Sequence, residues 1–237
     1  YMVDSNIPKI PSYDSDTLAT KFYTDIRRAC SEYKTITHTI EKYDFDTSHF
    51  VQPVNKLTQK FTHNINTTMK KKYILTFEYK NVEFCINIFT TKVNEEDKIN
   101  KIIEHIEMGI IMSLLDKEPF EESIQTNIDL YMTNLSKHLS VNRKPLHSEN
   151  VSSSFSYINQ NIYICVYRTE EWFKCLMYEL FSSFTIDLVS NARGINYNNI
   201  LSTSAFNLNA NFSVVEPVLE FCARIFNMAY VSFLNEK

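Results

Sequence analysis

The sequence predicts an α+β fold, in which helices pack against a small, mostly antiparallel sheet. Four segments repeat apolar residues at the three- and four-residue spacing of a helix with one buried face, at residues 16–33, 95–116, 170–189 and 214–234. Two other segments alternate apolar and polar residues, as the strands of a hairpin do, at residues 73–79 and 82–91. The resulting order of helix, strands, helix, strands, helix and helix is typical of an α+β protein.

The N-terminal third contains one well-marked helix. Ser15 or Asp16 caps this helix. Four residues form its apolar face: Leu18, Phe22, Ile26 and Ala29. The segment 34–69 has only short alternating patches and contains Pro53, so we assign no element to it. The two strands of the hairpin then follow, and a tight turn at Lys80-Asn81 joins them.

The helix over 95–116 is the most strongly patterned element. Asn94 is its expected cap, with Asp97 three residues later. Its apolar stripe has six members: Ile99, Ile102, Ile103, Ile106, Ile110 and Leu114. Further strands are predicted at 128–132 and 162–167, separated by a polar connection at 136–161. The helices 170–189 and 214–234, with a polar loop between them, complete the chain.

We expect one compact unit. Residues 1–69 supply the N-terminal helix and an irregular segment, and these pack on a main domain formed by residues 70–237.

The glycine content excludes several functions. The 237 residues include two glycines, Gly109 and Gly194, where average usage gives about seven per hundred. Neither glycine lies in a P-loop, a GxGxxG turn, a kinase-type phosphate loop or a GxSxG elbow. Classical nucleotide binding is therefore excluded, and the turns have almost no glycine for backbone conformations with positive φ.

The net charge and the cysteine content argue against two further kinds of function. A net charge of −4 argues against a protein that wraps nucleic acid. The five cysteines are scattered and form no CxxC pair, which favours reduced thiols over a zinc–cysteine site. We expect no membrane span, because Glu104, His105 and Glu107 interrupt the most apolar stretch that we identify.

The most informative segment begins at Arg168 and ends at Leu188. It reads Arg-Thr-Glu-Glu-Trp-Phe-Lys-Cys-Leu-Met-Tyr-Glu-Leu-Phe-Ser-Ser-Phe-Thr-Ile-Asp-Leu. The segment resembles a family of metallopeptidase-like proteins of large DNA viruses, the mimivirus-like giant viruses in particular. Members of that family read R-x-E-E-W-F-K, then a hydrophobic run, H-E-x-x-H and a G-L-D-F-like run. The likeness covers about 70–230, and three shorter segments also match: 128–137, 161–167 and 216–223.

The resemblance implies a zincin-like fold, with an active-site helix at 170–189 and a glutamate-bearing helix at 214–234. In such a site, two histidines one helical turn apart bind Zn²⁺, and the glutamate after the first is the general base. Here Tyr178 and Ser182 occupy the two histidine positions. All six histidines lie upstream of this helix, and neutral hydroxyl oxygens are poor zinc ligands. We therefore expect no metal, no cofactor and no catalytic residue.

The vestigial positions of the implied site are Tyr178, Glu179, Ser182, Glu216 and Glu220. We interpret Glu179 as a partly exposed helix acid or as the partner of a lysine or arginine. Tyr178 and Ser182 are expected to form hydrogen bonds within the former cleft.

By the resemblance, Glu220 with Ala223 is the better match to a third zinc ligand. Glu216 is better explained as a capping residue, either in a capping box with Ser213 or directly before Pro217. Thr185 stands where the family has glycine, so a positive-φ bend after the helix is expected to be lost. Trp172 and Phe173 are interpreted as core anchors rather than as a binding platform.

A thiol enzyme is a weaker hypothesis. Cys175 has no histidine nearby in the sequence, although His105 or His138 could approach it in the fold. The many tyrosine and phenylalanine residues could stack on single-stranded nucleic acid, but the net charge has the wrong sign.

The sequence thus predicts a catalytically inactive metallopeptidase-like viral protein that serves as a binding or scaffold module. Its expected partner is a protein or peptide lying beside the edge strand, and neither nucleic acid nor a membrane. Two alternatives stay open: a virion or assembly structural protein whose cleft is filled, and a residual hydrolase with an unorthodox site. The expected location is the cytoplasm of the host, at the virus factory, or the virion. The oligomeric state is not predicted.

Overall fold

The computed structural model describes residues 15–46, 59–93, 95–137, 152–184 and 215–235. Its helices are α1 (Ser15–Tyr33), α2 (Gln59–Thr68), α3 (Glu96–Leu114), α4 (Trp172–Phe184) and α5 (Val215–Asn235). Its strands are β1 (Thr39–Asp44), β2 (Lys71–Tyr79), β3 (Val82–Thr90), β4 (Ile124–Tyr131), β5 (Ser154–Ile158) and β6 (Ile162–Val166).

The strands form one mixed sheet in the order β1-β2-β3-β4-β6-β5. Strand β3 is parallel to β4, and β4 is parallel to β6, whereas the other three pairs are antiparallel. The α+β class is confirmed, but the sheet is larger and more mixed than expected. Helix α3 is the physical reason, because a parallel pair requires a long crossover and α3 supplies it between β3 and β4.

Different helices pack on the two faces of the sheet. Helices α1, α3, α4 and α5 pack on one face and build the main core around Leu75, Ile86 and Ile164. Helix α2 contributes Phe61 and Ile65 to a smaller cluster on the opposite face, against the alternate side chains of β3, β4 and β6. The functional site described below lies at the β5 edge of the four-helix face.

The tight turn between β2 and β3 is confirmed, and it forms without glycine. Both central residues have positive φ, 53° at Lys80 and 62° at Asn81, as a two-residue hairpin turn requires. The Lys80 ammonium group donates to the carbonyls of Leu114 and Leu115, at 2.8 and 2.9 Å. The turn therefore also satisfies carbonyl groups at the C-terminus of α3.

Gly109 lies where α3 crosses α4. A Cβ atom at this position would come within 2.8 Å of the Met177 sulfur and 3.4 Å of a Phe173 ring carbon. Glycine thus allows the two helices to pack closely at this point.

Most predicted elements are confirmed with small shifts at their ends, namely α1, α3, α5, β2, β3, β4 and β6. The N-cap of α3 lies one residue later than predicted. The N-cap position belongs to Glu95, whose side chain makes no capping hydrogen bond. The N-cap residue of α3 is thus not the predicted one, and Asn94 itself lies outside the described residues. Helix α4 begins at Trp172 rather than at 170, and residues 185–189 of the predicted helix lie outside the described residues.

Three elements were not predicted, and each has a weak pattern. All six residues of β1 are exposed, so no apolar alternation marks this strand. Helix α2 buries only Phe61 and Ile65. Strand β5 is short and carries Ser154 and Ser156 on its core side.

The predicted boundary between residues 1–69 and 70–237 separates β1 from β2. These two strands are paired along the whole length of β1, from Thr39 opposite Thr76 to Asp44 opposite Lys71. Helix α1, also from the N-terminal segment, packs against α3 and α5.

Candidate functional site

A polar cavity of about 430 Å³ lies between β5, α4 and α5. We call this cavity the cleft. Its lining comes from four places in the chain: Lys137 after β4, Ser152–Ser154 at the start of β5, Lys174, Cys175, Tyr178 and Glu179 on α4, and Glu220 and Arg224 on α5. The cleft is thus formed by segments that are far apart in sequence, and three of the five vestigial positions line it.

Helix α4 turns two rows of side chains towards the cleft. Lys174 and Tyr178 are four residues apart, as are Cys175 and Glu179, so each pair occupies one face of the helix. Tyr178 is half-buried, while Glu179 is only 5% exposed. The interpretation of Glu179 as a partly exposed acid is therefore wrong, because α4 packs this side of the helix against the sheet.

Burial and negative charge act together near Glu179. Burial raises the pKa of the Cys165 thiol on β6, and the charges of Asp129 and Glu179 raise that pKa further. Glu179 lines the cleft and is 5% exposed, so it belongs to the inner wall of the cleft.

A chain of ion pairs includes four residues that line the cleft: Lys137, Lys174, Glu220 and Arg224. Glu171 accepts from Lys137 at 2.7 Å and lies 3.6 Å from the Lys174 ammonium nitrogen. Lys174 also donates to Glu220 at 2.9 Å, and Arg224 lies 2.8 Å from the same carboxylate. The chain therefore alternates positive and negative groups and joins α4 to α5.

This network fixes the charge states of its carboxylates. Burial alone would raise the pKa of Glu220, but hydrogen bonds from Lys174 and Arg224 outweigh it and lower that pKa. The hydrogen bond from Lys137 likewise lowers the pKa of Glu171. Both carboxylates are ionised and occupied by cationic side chains at neutral pH.

Tyr178 lies among three carboxylates. Burial raises the pKa of its phenol, and the charges of Glu216, Glu179 and Glu220 raise it further. The phenol therefore stays protonated at neutral pH and can act as a hydrogen-bond donor. The structure thus brings Tyr178, Glu179 and Glu220 together, with the charge of Glu216 nearby.

The other two vestigial positions are less involved. Ser182 is half-buried on α4 and is not part of the cleft lining. Glu216 is exposed in the first turn of α5, which begins at Val215. Glu216 is therefore not the N-cap residue, although its charge is favourable beside the positive end of the helix. Its predicted capping partner Ser213 lies outside the described residues, as does Thr185.

The donor set does not suit zinc. Within the part of the chain that the structure describes, no group of three or more His, Cys, Asp or Glu side chains could hold a metal ion. Tyr178 and Ser182 offer neutral hydroxyl oxygens, and Glu220 is paired with two cationic side chains. A tetrahedral zinc site needs three protein ligands and an open position, which these residues do not provide.

The thiol hypothesis gains no support. Burial raises the pKa of Cys175, whereas a nucleophilic cysteine needs a lowered one. The Nδ1 atom of His105 donates to the Lys101 carbonyl at 2.5 Å, and its ring packs against Phe173 and Tyr230. His105 is thus held within the helix packing, and His138 lies outside the described residues.

Trp172 and Phe173 differ in burial. Phe173 is buried in the core, as expected for an anchor. Trp172 packs partly on the core and also lines a second cavity, of about 740 Å³, between α3, α4 and α5. We call this second cavity the groove. It shares Lys174 and Arg224 with the cleft, so the two cavities are neighbours.

Sequence reasoning missed two buried acids. Glu107 on α3 is fully buried, with one carboxylate oxygen 2.6 Å from His38 Nδ1. Asp129 on β4 accepts hydrogen bonds from Tyr163 and Asn87, at 2.6 and 2.7 Å. The helical spacing contained a signal for Glu107, which follows Ile103 by four residues and precedes Ile110 by three, so it lies on the apolar face.

Helix α5 also corrects the expectation that no stretch is long enough to span a membrane. By length and composition alone, this 21-residue helix is long and apolar enough to do so. One face of the helix, with Leu219, Ala223, Phe226 and Tyr230, is buried in the protein.

Comparison with known proteins adds no relative. No family model, no curated protein and no solved structure matches this chain. The resemblance to the viral metallopeptidase-like family therefore stays a prediction.

Proposed function

We propose that this chain is a catalytically inactive, metallopeptidase-like viral protein that binds a partner. In this proposal an extended peptide segment of the partner lies in the cleft and pairs with the free edge of β5. The observation that carries the proposal is the convergence of Tyr178, Glu179 and Glu220 on one open cavity beside an edge strand. In a zincin, those positions would surround the metal.

The geometry of β5 supports strand addition. Tyr167 donates its backbone N–H to the Ser153 carbonyl, and the register pairs Ser154 with Val166. Because bonded and non-bonded pairs alternate in an antiparallel ladder, the backbone groups of Ser154, Ser156 and Ile158 point away from β6. No described strand pairs with this outer side of β5. Among the described residues, these groups are therefore available to an added strand.

The open cleft favours binding over a purely structural role. A filled cleft was the expectation for an assembly protein, whereas Tyr178 lines a cavity of about 430 Å³. A residual hydrolase is less well supported, because Lys174 and Arg224 pair with Glu220. In addition, the described side chains form no group that could hold a metal ion. A location at the virus factory or in the virion is part of the same proposal and rests on the resemblance alone.

Two substitutions at one position of β5 test the proposal. Ser156→Pro removes an outward-facing N–H and leaves the ladder with β6 intact, whereas Ser156→Val changes the side chain and keeps the N–H. We expect peptides selected from a random displayed library on the wild-type protein to bind the Val variant. The Pro variant should bind them at least about tenfold more weakly, because one main-chain hydrogen bond is lost and the edge is blocked.

Amide hydrogen exchange provides the structural readout. Bound peptide should slow the exchange of the Ser156 and Ile158 amides, since these amides then donate to the added strand. Equal peptide binding by the two variants, or no change in exchange along β5, would contradict strand addition at this edge.

A further inference from the structure

Helix α5 exposes a stripe of apolar side chains on the side opposite to its buried residues. Val218 is 44% exposed, Phe221 63%, Met228 58% and Val231 45%. Among the large apolar side chains that the structure describes, Phe221 is the most exposed. The most apolar stretch of this helix has a mean hydropathy of 1.2, and only 22% of it is buried. Exposed apolar surface of this kind typically marks a binding site.

The groove forms a hole beside one end of this stripe. The residues of α5 that line the groove follow the spacing i, i+3, i+4 and i+7: Arg224, Asn227, Met228 and Val231. Four residues with this spacing form the hole that accepts one side chain of a facing helix in knobs-into-holes packing. Trp172 and His105 also line the groove, and their ring centroids lie 6.1 Å apart. The hole is therefore suited to a large apolar side chain.

The charged groups around the groove are already paired. Lys98 lies 3.5 Å from Glu95, and Arg224 lies 2.8 Å from Glu220. Lys174 also has carboxylate partners, as described above. Paired charges of this kind do not select an acidic or a basic ligand. The shape and the apolar side chains of the surface therefore decide what covers it.

The stripe contains both a knob and a hole, with the spacing of a two-fold pair. Phe221 is the knob, and the centre of the hole lies between Asn227 and Met228, about 10 Å further along the helix at 1.5 Å per residue. When two α5 helices cross in antiparallel directions about a two-fold axis near Arg224, Phe221 of each copy reaches the hole of the other. An isologous interface has this reciprocity, because residue i contacts residue j and residue j contacts residue i. A peptide bound in the hole would leave Phe221 exposed, whereas a second copy covers both features.

We propose that two copies of this chain form an antiparallel, two-fold dimer through α5, in which Phe221 of each copy enters the groove of the other. Contacts with the Met228 sulfur and the Trp172 ring stabilise each inserted phenylalanine. The stripe from Val218 to Val231 extends over about 20 Å of helix axis. One helix pair of this length buries less area than a standard interface of about 1,600 Å², so we expect a dimer that dissociates at micromolar concentration. The proposal holds whether or not the β5 edge binds a peptide.

Sedimentation equilibrium of the full chain tests for the dimer. The mass should rise from one chain to two with concentration, and Phe221→Asp or Met228→Asp should raise the midpoint concentration at least about tenfold. Val93→Asp makes the same change of charge at an apolar side chain that is 50% exposed elsewhere, and it should leave the midpoint unchanged. Added salt should favour the dimer, because it screens the repulsion between two chains that each carry a net charge of −4.

A mixture of two variants tests the antiparallel arrangement. Phe221→Lys and Met228→Glu should each weaken self-association. Mixed in equal amounts, the two variants should form a heterodimer, since the introduced lysine of one copy faces the introduced glutamate of the other. The second knob of that heterodimer keeps its native contact between Phe221 and Met228. A parallel pair would instead place position 221 opposite position 221 and would form no such ion pair.

The only tryptophan of the chain reports on the groove. Because Trp172 lines the groove, dilution of the wild-type dimer should expose its ring and shift its emission to longer wavelength. Phe221→Asp should show the emission of the diluted protein at concentrations at which the wild type is dimeric.

Several results would overturn the proposal. These are the mass of a single chain up to the highest soluble concentration, a dimer that Phe221→Asp and Met228→Asp leave intact, and equal weakening by Val93→Asp. A mixture of Phe221→Lys and Met228→Glu that associates no better than either variant alone would contradict the antiparallel arrangement. Burial of Trp172 only in the presence of phosphatidylcholine vesicles would assign the stripe to a membrane instead.

Discussion

The buried Glu107 is the clearest example of a single residue whose environment changes its chemistry. Its side chain is fully buried, and only one of its two carboxylate oxygens has a hydrogen-bond partner, His38. Burial raises the pKa of Glu107, while the charge and hydrogen bond of His38 act in the opposite direction. The net direction is upward, so the fold favours the protonated acid.

The raised pKa of Glu107 predicts that the stability of the fold depends on pH. A carboxyl group whose pKa is raised in the folded protein stabilises the fold below its ordinary pKa of about 4.3, and this contribution is lost as pH rises through the raised value. Glu107→Gln removes the titration. Its free energy of unfolding relative to wild type should therefore rise between pH 4 and neutral pH.

Urea denaturation at several pH values measures this difference. Glu122→Gln, which removes an exposed carboxylate elsewhere, is the control. A constant difference between Glu107→Gln and wild type across this pH range would show that Glu107 has the same pKa in both states.

Among the elements, helix α4 best shows what sequence can and cannot predict. The apolar spacing and the motif around Trp172 predicted the helix, and the resemblance singled out Tyr178 and Glu179. Glu179 was interpreted as a partly exposed helix acid or as the partner of a lysine or arginine, and its burial was not predicted because it depends on how α4 packs on the sheet. The ion pair of Lys174 with Glu220 was also not predicted, since it joins two helices and its residues lie 46 positions apart in the sequence.

The contact between α3 and α4 yields a second prediction. Gly109→Val should destabilise the protein by about 2 kcal/mol, since its side chain would overlap Met177 and Phe173. Asn100→Val controls for the helix propensity of valine at an exposed position of α3. Thermal or chemical unfolding measures both variants, and equal stability would contradict close packing at Gly109.

At the scale of the whole molecule, local periodicity predicted the fold class but not the order of the strands. Pairing of β4 with β3 and β6 connects distant segments, and nothing in the sequence of β4 specifies those neighbours. The two edge strands were not predicted, because neither has the apolar pattern of a core strand. Strand β1 is exposed on both faces, and β5 carries serines where a core strand carries apolar residues.

The two cavities also appear only at this scale. The cleft and the groove share Lys174 and Arg224, and each combines residues of α4 and α5 with residues from another part of the chain. The sequence predicted the participants Tyr178, Glu179 and Glu220, whereas Lys137 and Arg224 had no assigned role. Their part in the site depends on tertiary contacts with Glu171 and Glu220.

The metal content of the purified protein tests the central claim most directly. Because Tyr178 and Ser182 replace the implied histidines and Glu220 is held by Lys174 and Arg224, we expect far less than one transition-metal ion per chain by elemental mass spectrometry. The double variant Tyr178→His with Ser182→His should gain stoichiometric zinc if the ancestral arrangement survives. One zinc ion per wild-type chain, lost in Glu220→Gln, would contradict the account of an inactive binding module.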